Sequence, residues 1–192
     1  GVKITANGTT FAKEYATDDE SVSGTIAKSV VSSDTSKLVA PGTKGNMVSM
    51  TLTGTPEVAV RVQYAATLTL NDKWMDADGK FYCPLQFKIP TYSAEDHGWV
   101  NMVVDGTKFN DAEALRREVE SKIDAFSATY AAGTSLDSLT AEDHKVPSVS
   151  WEWPFHHDDD SDIKDTYLGD QAAAGKAAEI QLTVVTTVTQ VD

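Results

Sequence analysis

A period of two dominates the hydrophobic pattern of this chain. Val58, Val60, Val62, Tyr64, Ala66, Leu68 and Leu70 fall on one side, and Ala59, Arg61, Gln63, Ala65, Thr67 and Thr69 on the other. Successive side chains of a strand point to opposite faces, so the spacing predicts one long strand with a buried and a wet side. The same signal recurs at Val48, Met50 and Leu52, at Phe81, Cys83, Leu85, Phe87 and Ile89 (ending at Pro90), at Val149, Trp151, Trp153 and Phe155, and at Ile180, Leu182, Val184, Thr186 and Val188. Shorter candidates cover residues 22–31, 99–104 and the N-terminal Val2, Ile4 and Ala6. Val and Thr, which suit a pleated half-buried surface, are abundant throughout. Turn signals separate the runs: Pro41-Gly42, Gly54-Thr55-Pro56, Asp76-Ala77-Asp78-Gly79 and Asp105-Gly106. Many alternating strands with one wet face predict an all-β fold, an antiparallel β-sandwich or jelly roll rather than a buried parallel sheet.

One segment changes period. Asn110 and Glu113 have the spacing of a capping box, with Asn110 as the cap. Leu115, Val119, Ile123, Phe126 and Tyr130 then follow at helical spacing, and Gly133 supplies a stop. The pattern predicts a single inserted amphipathic helix over about residues 110–132, the only long one, packed across a sheet edge or barrel end. No internal repeat or interdomain linker interrupts the chain, which reads as one domain.

Charge narrows the partners. The 192 residues carry 16 basic and 29 acidic side chains, a net charge of −13. A nucleic-acid backbone or an anionic membrane surface would meet net repulsion, and no apolar run reaches the ~20 residues that span a bilayer. One cysteine, Cys83, excludes an internal disulfide framework and a thiolate-only zinc site.

Catalytic chemistry finds little support. The histidines, His97, His144, His156 and His157, form no His-Glu-x-x-His arrangement, and an adjacent pair on a strand points opposite ways. No Gly-x-Ser-x-Gly elbow or phosphate-binding glycine loop is present, and Cys83 falls on the inward face of its strand. The expectation is a protein that is not an enzyme. Asp158, Asp160 and Asp162 alternate like the start of a calcium loop, but Ile163 stands where the turn glycine belongs and Gly169 where the bidentate Glu belongs. The run therefore reads as a solvated loop, with calcium as the one cofactor it would suit. Asp76-Ala77-Asp78-Gly79 reads as a hairpin turn. Trp151, Trp153 and Phe155 read as core, with a ligand platform as the alternative. Asn7-Gly8-Thr9 matches a glycosylation sequon, and Asn-Gly is equally a common turn pair.

Three stretches, taken in order, resemble the TasA/camelysin family of secreted biofilm-fibre proteins and the related archaeal bundling-pilus subunits. They are Leu38-Val39-Ala40-Pro41-Gly42-Thr43 ahead of a strand, the long alternating run 57–70, and Asp165-Thr166-Tyr167-Leu168-Gly169-Asp170 leading through small residues to Ile180, Leu182 and the closing Thr189-Gln190. The first has one residue more than the family's Leu-x-Pro-Gly turn. The resemblance implies a jelly-roll subunit, exported with its signal peptide removed, that assembles head to tail with other copies of itself into extracellular filaments at the cell surface. It also implies that the N-terminal strand of one subunit enters the sheet of the next. The metalloprotease activity attached to the camelysin name is not carried over, because the zinc motif it needs is missing.

The residues themselves allow the same reading. Val2, Ile4 and Ala6 share one face of an N-terminal segment, and such a strand must pair within its own sheet or elsewhere. The expected organisation is a donor strand over residues 1–12 and a jelly-roll domain over 13–192. A start at Gly1 fits a mature terminus left by a signal peptidase as well as a chosen boundary. The alternative to a filament subunit is a monomeric cell-surface binding module.

Overall fold

The computed structural model describes residues 2–6, 9–11, 20–29, 41–42, 44–48, 50–93, 98–138, 149–155 and 160–191. Eleven strands and two α-helices lie in this part of the chain, and every strand pair is antiparallel. The strands are β1 (Val2–Ala6), β2 (Thr9–Phe11), β3 (Glu20–Ser29), β4 (Lys44–Val48), β5 (Met50–Gly54), β6 (Val60–Leu70), β7 (Gln86–Ser93), β8 (Gly98–Asp105), β9 (Ser127–Tyr130), β10 (Val149–Glu152) and β11 (Glu179–Gln190). The helices are α1 (Ala112–Asp124) and α2 (Ser161–Ala173).

Two four-stranded sheets, ordered β4-β10-β7-β8 and β3-β11-β6-β9, contribute to one core, as in a β-sandwich, and β2-β1-β5 form a smaller third sheet. The alternation of β6 is realised residue by residue: Val60, Val62, Tyr64, Ala66 and Leu68 are buried, while Arg61, Gln63, Ala65, Thr67 and Thr69 are exposed. Ile180, Leu182, Val184 and Val188 of β11 join them, and Phe87, Ile89, Val104, Val149 and Trp151 bring in the other sheet. Burying each such aliphatic side chain contributes roughly 1.5–3 kcal/mol. The Asp76–Gly79 stretch is a turn, closed by Asp76 Oδ1, which accepts from Asp78 N at 2.9 Å and Lys80 N at 3.0 Å.

Several expected elements differ in extent. The strand read as ending at Pro90 instead runs to Ser93. β10 pairs with β7 only over Gln86–Lys88, so among the described residues no strand lies on that side beyond Lys88 and the absent proline N–H costs no ladder bond there. Upstream of β7, residues 82–85 are buried without alternation, because this segment is enclosed on both sides. The run around Val48, Met50 and Leu52 is shared between two strands, β4 pairing to β10 and β5 to β1.

The helix expected over 110–132 is shorter, and its cap is Asp111, not Asn110. Asp111 Oδ1 accepts from Ala114 N at 2.7 Å. The chain leaves the helix at Ala125 and becomes β9, which pairs Tyr130 with Val60 and Ala128 with Val62. Nor is α1 the only helix. Asp160 and Asp162, read as part of a solvated loop, stand at the N-cap position and in the first turn of α2, whose buried positions are Ser161, Asp165, Leu168 and Ala172. Their spacing of four, three and four is that of one helical face.

Candidate functional site

β1 carries the positions proposed for assembly, Val2, Ile4 and Ala6. The segment is a strand, and its backbone is paired on both sides within its own chain. On one side Val2 lies opposite Gly54, Ile4 opposite Leu52 and Ala6 opposite Met50 of β5. On the other, Ile4 lies opposite Phe11 and Ala6 opposite Thr9 of β2. β1 and β2 therefore form a hairpin laid against β5. Among the described residues, neither strand pairs with a member of the two larger sheets.

The sheet edges around this unit are closed in different ways. Beyond β9, the outer edge of β6 faces α1. Asp124 Oδ1 accepts from Ala66 N at 2.7 Å, and Glu120 Oε1 accepts from Leu68 N at 3.1 Å. Residues two apart on a strand aim their amides to the same side, so α1 satisfies the next two outward N–H groups that β9 leaves open. Glu120 is also held by Arg116, whose Nη1 donates to Oε1 and Oε2 at 3.0 and 2.8 Å, while Arg116 Nη2 donates to Glu113 at 2.7 Å. These carboxylates, Glu113 first, raise the Arg116 pKa further.

Of the acidic run, Asp160 and Asp162 are described, and these two do not converge. Asp160 is the N-cap of α2 and Asp162 sits in its first turn, so two side chains that would meet on an extended loop are spread around a helix. Negative charge there suits the helix dipole. Asp158 lies outside the described residues, and among those described no group of three His, Cys, Asp or Glu side chains is placed to hold a metal. Asp165, further along, accepts a hydrogen bond from the Tyr82 hydroxyl, and Lys164 Nζ lies 5.4 Å from the Tyr82 ring centre. This buried contact ties α2 to the segment before β7, which the sequence pattern did not reveal.

The remaining candidates divide clearly. Trp151 and Trp153 are buried, as a core reading requires, whereas Phe155 is 74% exposed. The Phe155 ring lies against Gly42, where an added Cβ would come within 2.4 Å of it. A ligand platform of all three aromatics is therefore not formed. Cys83 is fully buried, and burial pushes its thiol pKa up to about 12. Burial first, and then Tyr130, raises the pKa of Tyr64, whose hydroxyl has no hydrogen-bond partner among the described residues. His97, His144, His156, His157 and Asn7 lie outside the described residues. No family profile, curated protein or solved structure matches this chain.

Proposed function

We propose that this protein is the structural subunit of an extracellular filament, joined by exchange of its N-terminal strand with the neighbouring copy. The observation that carries the reading is the β1-β2 hairpin laid on β5, a short element outside the two larger sheets. An identical copy offers an identical β5, so the ladder made within one chain can be remade between chains, the low-cost route of element exchange. Eight residues separate β2 from β3, and a chain of that length reaches at most about 26–29 Å. An exchange in which each chain gives its hairpin forward and accepts one from behind is heterologous and does not close on itself. The resemblance to secreted fibre subunits supports the same reading, in which the chain works outside the cell.

The jelly-roll reading has its own support. With the three strands of the small sheet set aside, the other eight in chain order make the sheets 1-8-3-6 and 2-7-4-5. The neighbours 1 and 8, 2 and 7, 3 and 6, and 4 and 5 are each antiparallel, as in a strip folded on itself and rolled.

Deleting residues 1–8 is the test. The shortened chain should keep its two larger sheets, give a circular dichroism spectrum dominated by β structure, and sediment as nothing larger than a dimer. The intact chain should form filaments under the electron microscope. Ile4→Asp should weaken assembly without the deletion, because strand exchange would bury an unpaired charge. Ordinary filaments from the shortened chain would overturn the mechanism.

A further inference from the structure

We infer that β8 is a second contact surface, at which two copies pair edge to edge about a two-fold axis centred on Asn101. The direction of its backbone groups follows from the ladder. Gly106 N donates to Leu85 O at 2.8 Å, one step beyond the Gln86–Asp105 pair, so the even-numbered residues of β8 aim at β7. The N–H and C=O groups of residues 99, 101, 103 and 105 therefore point away from β7. Among the described residues no strand lies on that side.

Other edges are shortened, charged or covered. β9 has four residues, β4 begins with Lys44, β3 contains Glu20 and Lys28, β6 is closed by Glu120 and Asp124, and the single turn Leu136–Ser138 lies beside β5. β8 is eight residues long and has a single charge, Asp105, at its end. Residues 98–104 carry no charge, and Val103 and Met102, on opposite faces, are 51% and 39% exposed. Long uncharged apolar edges are the ones that pair with other strands.

The occupant follows from charge and symmetry. A chain of net charge −13 meets its own copies with repulsion unless the contact is uncharged, and this seven-residue edge is. Antiparallel pairing with itself places Asn101 opposite Asn101, Val103 opposite residue 99, and Met102 opposite Val100. Each uncharged position then has an uncharged partner. Three hydrogen-bonded pairs, two bonds each, give about six new ladder bonds. The contact is isologous and needs no other surface. It stands apart from the filament reading, since it uses neither β1 nor β5.

The test is disulfide trapping of the full chain. Hydrogen-bonded antiparallel partners have Cα atoms about 5.5 Å apart, inside the range of about 4.4–6.8 Å that a disulfide spans. Asn101→Cys should give a disulfide dimer on a denaturing, non-reducing gel at least ten times faster than Ala65→Cys on the exposed face of β6. The unaltered chain should give none, because Cys83 is buried. Adding Val103→Lys to Asn101→Cys should cut the rate tenfold, with the melting temperature unchanged. The gel reads the link whether or not filaments are present, so failure here leaves the strand-exchange mechanism standing. Trapping of Asn101→Cys no faster than Ala65→Cys would overturn the proposal, as would indifference to Val103→Lys. A mixture with Ile4→Cys that yields the 101–4 link in preference to 101–101 would overturn it too, since β1 would then be the occupant.

Discussion

Glu120 offers the most direct test of how this fold closes a sheet edge. Its Oε1 accepts from the Leu68 amide inside the protein, and the residue is only 9% exposed. In Glu120→Ala the amide loses its acceptor, a loss of ~1–3 kcal/mol for a buried unsatisfied donor. Two buried methylenes go as well, at up to ~0.8 kcal/mol each. Alanine returns a few tenths of a kcal/mol in helix propensity, roughly 0.4. The sum is a destabilisation of about 2–4 kcal/mol. Glu120→Gln keeps the carbonyl oxygen and both methylenes, and gives up only the charge facing Arg116. Arg116 is partly solvated and retains Glu113. The glutamine variant should therefore be more stable than the alanine variant by most of that amount. With a urea slope of about 2 kcal/mol/M, the two midpoints should differ by about 1–2 M, and hydrogen exchange at Leu68 should accelerate in the alanine variant alone. Equal midpoints would refute the reasoning, and a glutamine variant as weak as alanine would show that the ion pair, not the amide, is what Glu120 supports.

Three further outcomes follow from buried groups. Tyr64→Phe removes a buried hydroxyl with no partner among the described residues and should be neutral or stabilising by up to about 1 kcal/mol in urea melts; a loss above that size would reveal a partner. Gly106→Ala would put a Cβ 2.5 Å from Cys83 O and 2.9 Å from Leu85 O, both backbone atoms, so a fall of at least ~1–3 kcal/mol is expected, and an unchanged melting temperature would contradict the packing. Cys83 has a pKa raised by burial to about 12 from 9.0. Its contribution to stability is fully present below pH 9 and is lost as pH rises toward 12, because the unfolded thiol ionises first. Cys83→Ala should flatten that part of the pH–stability curve, and an identical slope in both proteins would assign the loss elsewhere.

How much of this was legible depended on whether the buried face was apolar. β6 and β11 could be read from the alternation of Val, Leu and Ile, because each hides one face and wets the other. The start of α1 was legible from its cap region, but its end was not. Phe126 and Tyr130 lie four apart, a spacing that fits one helical face and also two positions on one strand face, and only the pairing of β9 with β6 decides between them. α2 escaped because half of its buried face is Ser161 and Asp165, polar groups whose burial depends on partners such as Tyr82, 83 residues away in sequence. β1 was visible as a strand in Val2, Ile4 and Ala6, but its partners β2 and β5 were not, since register is a property of two strands and a turn.

The surplus of acidic residues also takes on a different meaning once the fold is drawn. Read as a total, −13 describes a surface field that keeps copies apart. Read residue by residue, five of the described carboxylates are acceptors for backbone amides: Asp76 in its turn, Asp105 for Thr107, Asp111 at the start of α1, and Asp124 and Glu120 along β6. A carboxylate accepts hydrogen bonds and never donates while ionised, so it terminates a sheet edge where a strand would continue it. Acidic side chains therefore close β6 and at the same time repel an approaching copy. On β8 only the last residue, Asp105, is acidic, and its carboxylate turns back to Thr107, so the outward backbone groups of residues 99, 101 and 103 have no carboxylate among their side chains. Under the proposed assembly, the strands at which copies meet are set by where carboxylates are missing as much as by where apolar side chains are present.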